Sequence, residues 1–284
     1  MGTAAGRLTA AARAEHRHQT ALLAALQGGA QAWPTGWCGP AAALSSHRQH
    51  ARATAARTLT VAYPVLAGQL APADVAAAAW DLWQRHPPRQ GDLGTWGGHW
   101  AGWLRSPAGR ARCPTVAGWA ADLARLEWGV HQANRAEDAP EGWPAGLALL
   151  HTTDPVRLVL QPRPGLAVLS LSTAALALWQ TQTQGDVPAA EVQPPPPAGR
   201  GRTAVVVCRR GLAVGVRPLP ADQARFTRHL LRGESLGQAL AQAAPHDFQA
   251  WLQTALTDGW WTAVGCLSAV DLSCLLYTSP SPRD

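Results

Sequence analysis

The residue types that could do chemistry are present but dispersed along the chain. A Gly-x-Ser-x-Gly pattern runs from Gly233 to Gly237 and centres on Ser235. In a hydrolase this pattern sits on a tight strand-to-helix turn that exposes the serine hydroxyl. Here both flanks read as helix, and Ser235 stands where a helix needs its N-cap. The large parallel sheet of such a hydrolase has no counterpart in the pattern. His47 and His50 are three residues apart on a helical stretch, whereas His16 and His18, two apart, point to different faces. No carboxylates gather around either pair, and a metal site needs three or four converging donors. The five cysteines, Cys38, Cys113, Cys208, Cys266 and Cys274, form no CxxC pair and fit neither a zinc site nor a small disulfide framework. Isolated reduced thiols are expected. Walker and GxGxxG phosphate loops are missing from the sequence. The reading is a chain with no catalytic, cofactor or metal residues, and so not an enzyme.

What remains is suited to binding. Thr203, Val205 and Val207 lie in the strand-like run TAVVVC, and Arg209 and Arg210 follow at a turn. An exposed strand edge carries unpaired N–H and C=O groups and accepts a peptide as an added strand. On that reading Thr203 to Cys208 is the edge and the two arginines meet acidic peptide residues. A folded hairpin with solvated arginines is the alternative.

The 284 residues suit two domains, and 47% hydrophobic residues suffice for a core. The net charge is +6, carried entirely by arginine and scattered along the chain, which allows an acidic partner without the basic stripe of a nucleic-acid binder. Fourteen Trp stand against two Tyr and two Phe, so Trp fills most aromatic positions.

Residues 8–140 read as an antiparallel helical bundle. Helices run from about Thr9 to Gln27, Ser46 to Tyr63 and Pro72 to the break at His86-Pro87-Pro88, each stopped by Gly or Pro. A shorter helix carries Trp96, Trp100, Trp103 and Leu104. The last, from Thr115 to Arg135, places Trp119, Leu123, Leu126 and Val130 on one face. Residues 150–264 read as a small mixed domain. Strands at Val156–Gln161 and Leu166–Leu171 lead to a helix from Thr173 to Gln182 and a four-proline spacer. A hairpin from Arg202 to Pro218, three helices capped at Pro220, Ser235 and Asp247, and a strand from Trp260 to Val264 complete it. The expected class is α+β, a helical bundle followed by a winged-helix-like α/β domain. Residues 265–284 are read as an artefactual tail, because CLLYTSPSPRD, from Cys274 to Asp284, resembles translated sequencing-adapter DNA. No run reaches the roughly 18 apolar residues of a membrane span. The N-terminus lacks a signal-peptide core, so a cytoplasmic location is expected.

An ordered set in the helical half carries a resemblance: Tyr63-Pro64, Gly68, His86-Pro87-Pro88, Gly91-Asp92-Leu93, Gly97, Trp103-Leu104 and the run Ala124-Arg125-Leu126-Glu127-Trp128. This set resembles the HvfC/BufC family, whose N-terminal domain is often labelled DNA-binding. Leu178-Trp179, the hairpin and the closing helices follow the same order, so the resemblance covers about residues 16–264. The family often has Tyr near His47 and Phe where this chain has Trp. The resemblance implies a non-catalytic partner that captures a short ribosomally made precursor peptide. It would present that peptide to a multinuclear non-heme iron oxidative enzyme of the HvfB/BufB type, which modifies its cysteines. The helical half would dock on the enzyme through Arg125, Glu127 and Trp128, although Arg125 and Glu127 could equally form an ion pair on their own helix. The alternative is a DNA-binding regulator. Against it, the segment Ser235 to Ala243, placed as a recognition helix, has no basic residue.

Overall fold

The computed structural model describes residues 10–27, 39–114, 118–184 and 201–267. The four-proline run, Cys38, Cys274 and residues 268–284 of the presumed tail lie outside them.

Proline and short polar caps set most helix boundaries. Helix α1 spans Ala10–Gln27 and α2 spans Ala41–Ala62. Tyr63 leaves the helical region (φ −137°, ψ 58°) because Pro64 follows it, and Pro64 opens the short α3, Pro64–Gly68. Helix α4, Pro72–Arg85, buries Val75, Ala78, Ala79 and Leu82 and ends ahead of Pro87-Pro88. Helices α5 (Trp100–Arg105) and α6 (Pro107–Arg112) meet at Ser106, whose hydroxyl accepts from the Gly109 N–H and caps α6. Helix α7 spans Ala120–Arg135, beginning five residues later than expected, and residues 115–117 lie outside the described set.

The second half is mixed, so the molecule is α+β. After α8 (Leu149–Thr152) come β1 (Leu158–Pro162), β2 (Ala167–Ser172), α9 (Thr173–Gln184), β3 (Arg202–Arg210) and β4 (Ala213–Leu219). Helices α10 (Ala221–Leu231), α11 (Leu236–Ala243) and α12 (Phe248–Thr257) lead to β5 (Trp261–Cys266). Strand β1 starts two residues late because Asp154 accepts from the Val156 N–H and turns Pro155–Arg157 into a 3-10 helix. The closing strand β5 pairs with β1, while β2, β3 and β4 form a separate antiparallel sheet in that order. Gly265 and Cys266, assigned to the tail from sequence, lie within β5 opposite Val159 and Leu158.

Three apolar clusters hold these parts together. The first joins α2 to α7 around Leu59, Tyr63, Leu66, Trp100 and Leu123, and takes in Ala175 and Leu178 of α9. The second packs Phe226, Trp251, Trp260 and Trp261 under β1, β5 and one face of β3. The third seats Leu126 and Ala133 of α7 on Val205, Val207 and Leu171 of the sheet. A Cβ at Gly129 would lie 3.2 Å from Leu169, so the glycine lets α7 settle close to β2.

Candidate functional site

Helix α7 carries the three residues expected to dock on a partner, and it holds them inward or half-covered. Glu127 is buried, and its carboxylate accepts from the Val65 N–H (2.7 Å) and the Leu66 N–H (3.0 Å) at the start of α3. Those two donors have no partner within a helix as short as α3, so Glu127 supplies the cap that Tyr63 cannot. Burial pushes its pKa up to about 8, against the pull of the two N–H donors. Tyr63 is also buried and donates to the Gly97 carbonyl (2.8 Å). Its phenol pKa is raised, first by burial and then by Glu127. Trp128 is half-buried and stacks between Tyr63 (5.9 Å) and His131 (5.3 Å). The Tyr-Pro, Gly97 and Glu-Trp parts of the motif set therefore meet at one point and lock α3 to α7. Glu127 is an internal cap, a correction to its role as a surface contact, and it makes no ion pair with Arg125.

Arg125 belongs to a second group built around Asp122, which is also buried. Asp122 accepts from Arg105 (3.2 Å), Arg125 (3.4 Å) and Arg202 (3.0 Å), and from the Ser172 N–H (2.9 Å). Arg125 (2.9 Å) and Arg202 (2.6 Å) also donate to the Ser170 carbonyl. Val168, Ser170 and Ser172 are the residues of β2 whose backbone groups point away from β3. At Ser170 and Ser172 that outer edge is occupied by side chains from α7 and β3.

The expected peptide edge is corrected as well. Strand β3, with Thr203 to Cys208, is the central strand and is paired along both sides. Val205 and Val207 are fully buried against α7, and Thr203 is half-buried opposite Leu171. Arg209 is tied to the segment after α7, donating to the Ala136 carbonyl (2.9 Å) and to Asp138 (2.5 Å). Arg210 donates to the Thr257 carbonyl (2.6 Å) and, at 60% exposure, keeps most of its guanidinium in water.

The open edge is β4. Gly211 adopts a positive φ (57°), and Gly211-Leu212 form a two-residue turn that makes Arg210–Ala213 the closing pair. Hydrogen-bonded pairs then recur at Cys208–Gly215 and Val206–Arg217, and the intervening Val214 and Val216 turn their N–H and C=O groups outward. Pro218 falls on the same outward set, where its missing donor costs no ladder bond. Beside this edge lies a cleft of about 280 Å³ walled in part by Val206, Cys208, Gly215, Arg217 and Trp260.

The residues suggestive of chemistry have structural employment. Ser235 is buried and forms a capping box with Gln238, accepting from its N–H (3.2 Å) while the Gln238 side chain accepts from the Ser235 N–H (2.9 Å). Cys113, Cys208 and Cys266 are free thiols, and burial pushes Cys208 up to about 11. Among the described residues no three His, Cys, Asp or Glu side chains converge on a common point, and no helix is long and apolar enough to cross a membrane.

The class these features define is an α+β protein with a helical half packed on a small sheet that leaves one strand edge open. No protein-family model and no curated protein matches the chain.

Proposed function

We propose that this chain is a non-catalytic adaptor that takes up an extended peptide as a fourth strand along β4 and presents it to a partner enzyme. The observation that carries this reading is the outward row of N–H and C=O groups on Val214 and Val216, on a sheet whose opposite edge is filled at Ser170 and Ser172. Arg210 and Arg217 flank the open edge, already paired with Glu141 (3.8 Å) and Asp258 (2.8 Å), so acidic residues in the added strand would share or exchange those pairs. The HvfC/BufC resemblance supplies the partner: a multinuclear non-heme iron enzyme of the HvfB/BufB type, with a short ribosomal precursor peptide as cargo. The buried free thiols Cys113 and Cys208 agree with work in the reducing cytoplasm. On this reading Arg125 and Trp128 remain the parts of α7 within reach of a partner.

Selection from a displayed library of short random peptides tests the edge. The full chain is expected to enrich extended, acid-containing peptides, and Val216→Pro, which removes one outward donor from an edge position, is expected to abolish the enrichment. Equal enrichment by the variant would refute strand addition. A salt-sensitive gel shift on duplex DNA by the wild-type chain would revive the DNA-binding reading.

A further inference from the structure

A cavity in the helical half lies away from the sheet, and the strand addition proposed above does not use it. It measures about 720 Å³ and lies between the end of α4 and the start of α5. Arg85, His86, Arg89, Trp96, His99 and Trp128 contribute to its walls, and none of its lining residues is an Asp or Glu.

The two imidazoles stack face to face, 3.9 Å between centroids and 14° from parallel. His86 is exposed, and its pKa is lowered, first by desolvation and then by the charges of His99, Arg85 and Arg89. The carboxylates nearest in sequence are already paired. Asp81 compensates Arg85 of the cleft wall (3.0 Å) and also accepts from the Trp103 indole. Asp92 is held by Arg135 and by the Gly94 N–H (2.9 Å). Among the described residues Arg89 has no carboxylate within 4.0 Å, so its charge is uncompensated at the cleft. The frame is firm. The Trp96 indole donates to the His86 carbonyl (2.6 Å), and His131 contacts the Gly94 carbonyl (2.9 Å).

We infer that this cleft is a docking site for an acidic peptide segment of a protein partner. Arg89 and the stacked imidazoles line the cleft together with Trp96 and Trp128, which suits carboxylates spaced by small or apolar residues. Its volume is that of a multi-residue ligand and exceeds the needs of a single ion. A single-stranded nucleic acid, the other polyanion, requires free aromatic faces for base stacking. Both tryptophans are packed against other rings. Trp128 is stacked by Tyr63 and His131, and Trp96 is buried against Trp83 (5.1 Å, edge-on). The site is separate from the β4 edge and stands whether or not a peptide adds there.

Isothermal titration of the full chain tests it with three probes: a peptide of alternating Glu and Ala, its Lys-for-Glu counterpart, and oligothymidylate. The Glu peptide is expected to bind, and Arg89→Glu, at an exposed site, is expected to weaken that binding about tenfold or more. Val216→Pro is expected to leave it unchanged, which separates this cleft from the strand edge. The Lys peptide and oligothymidylate are expected not to bind. Three results would overturn the inference: no binding of the Glu peptide, binding indifferent to Arg89→Glu, or oligothymidylate binding that Arg89→Glu abolishes.

Discussion

The two edges of the three-stranded sheet differ in what satisfies their outward backbone groups. On β2, the Ser172 N–H goes to Asp122, and the Ser170 carbonyl takes two guanidinium groups, from Arg125 and Arg202. On β4, Val214 and Val216 face away from the sheet with only Pro218 to blunt the row. The hydrogen-bonding capacity is the same in kind, so the difference lies in the neighbour. Helix α7 lies across one face of the sheet and plants Asp122 and Arg125 beside β2. A buried N–H without a partner costs about 1–3 kcal/mol, so α7 must fill the β2 edge that it covers. The β4 edge is wet and can wait for a partner.

If α7 is the sealing element, damage to its inward carboxylates should cost far more than damage to β4. The largest effect is expected at Glu127. The folded chain holds its proton up to about 8, whereas an unfolded glutamate releases it near 4.5. The folded form therefore binds more protons between those values, and stability falls as pH rises through them, by a few kcal/mol in order of magnitude. Urea-unfolding midpoints compared at the two ends of this window should show that fall in the wild type and a flatter profile in Glu127→Gln. Matching slopes would remove Glu127 from the account. Asp122→Ala comes next, at about 2–3 kcal/mol. It leaves the Ser172 N–H unpaired and three half-exposed guanidinium groups facing one another, with water screening part of the repulsion. Tyr63→Phe loses one buried hydrogen bond, to Gly97, and should cost about 1 kcal/mol in the same assay. Val216→Pro should change stability least, by roughly 1 kcal/mol or less, because edge strands accept proline where the N–H faces out. A cost near that of Asp122→Ala would mean that β4 is already covered, and the contrast between the edges would fail.

Most of the helical half was legible because its signals are local. Pro64, Pro72 and Pro87 mark boundaries through their own backbone chemistry, and α4 falls where those marks put it, as α11 of the second half does at Ser235. Helix α2, by contrast, begins at Ala41, five residues ahead of the expected Ser46. The spacing of Leu123 and Leu126 likewise named a buried face. The site was less legible. Thr203 to Cys208 reads as a strand from its residues, but central and edge strands share that composition here. Glu127 carried a usable signal that was missed: it sits in an apolar stripe on the face of Leu123, and a carboxylate there needs a donor. The cleft at His86 and His99 gave no signal, since the two histidines are separated by a loop whose path depends on Trp96 and Gly97.

From sequence alone, the chain determined its longer helices to within a few residues, the caps at Ser235 and Asp247, a hairpin near Gly211 and its α+β class, because each follows from interactions within a few residues. The short α3, α6 and α8 were not legible, and Arg209 and Arg210, expected at the turn, belong to β3. Tertiary structure decided the order β2-β3-β4, the pairing of β5 with β1, and the burial of Glu127 and Asp122. Those depend on which distant segment reaches a backbone group first, and in this fold α7 reaches β2 while nothing among the described residues covers the outer edge of β4.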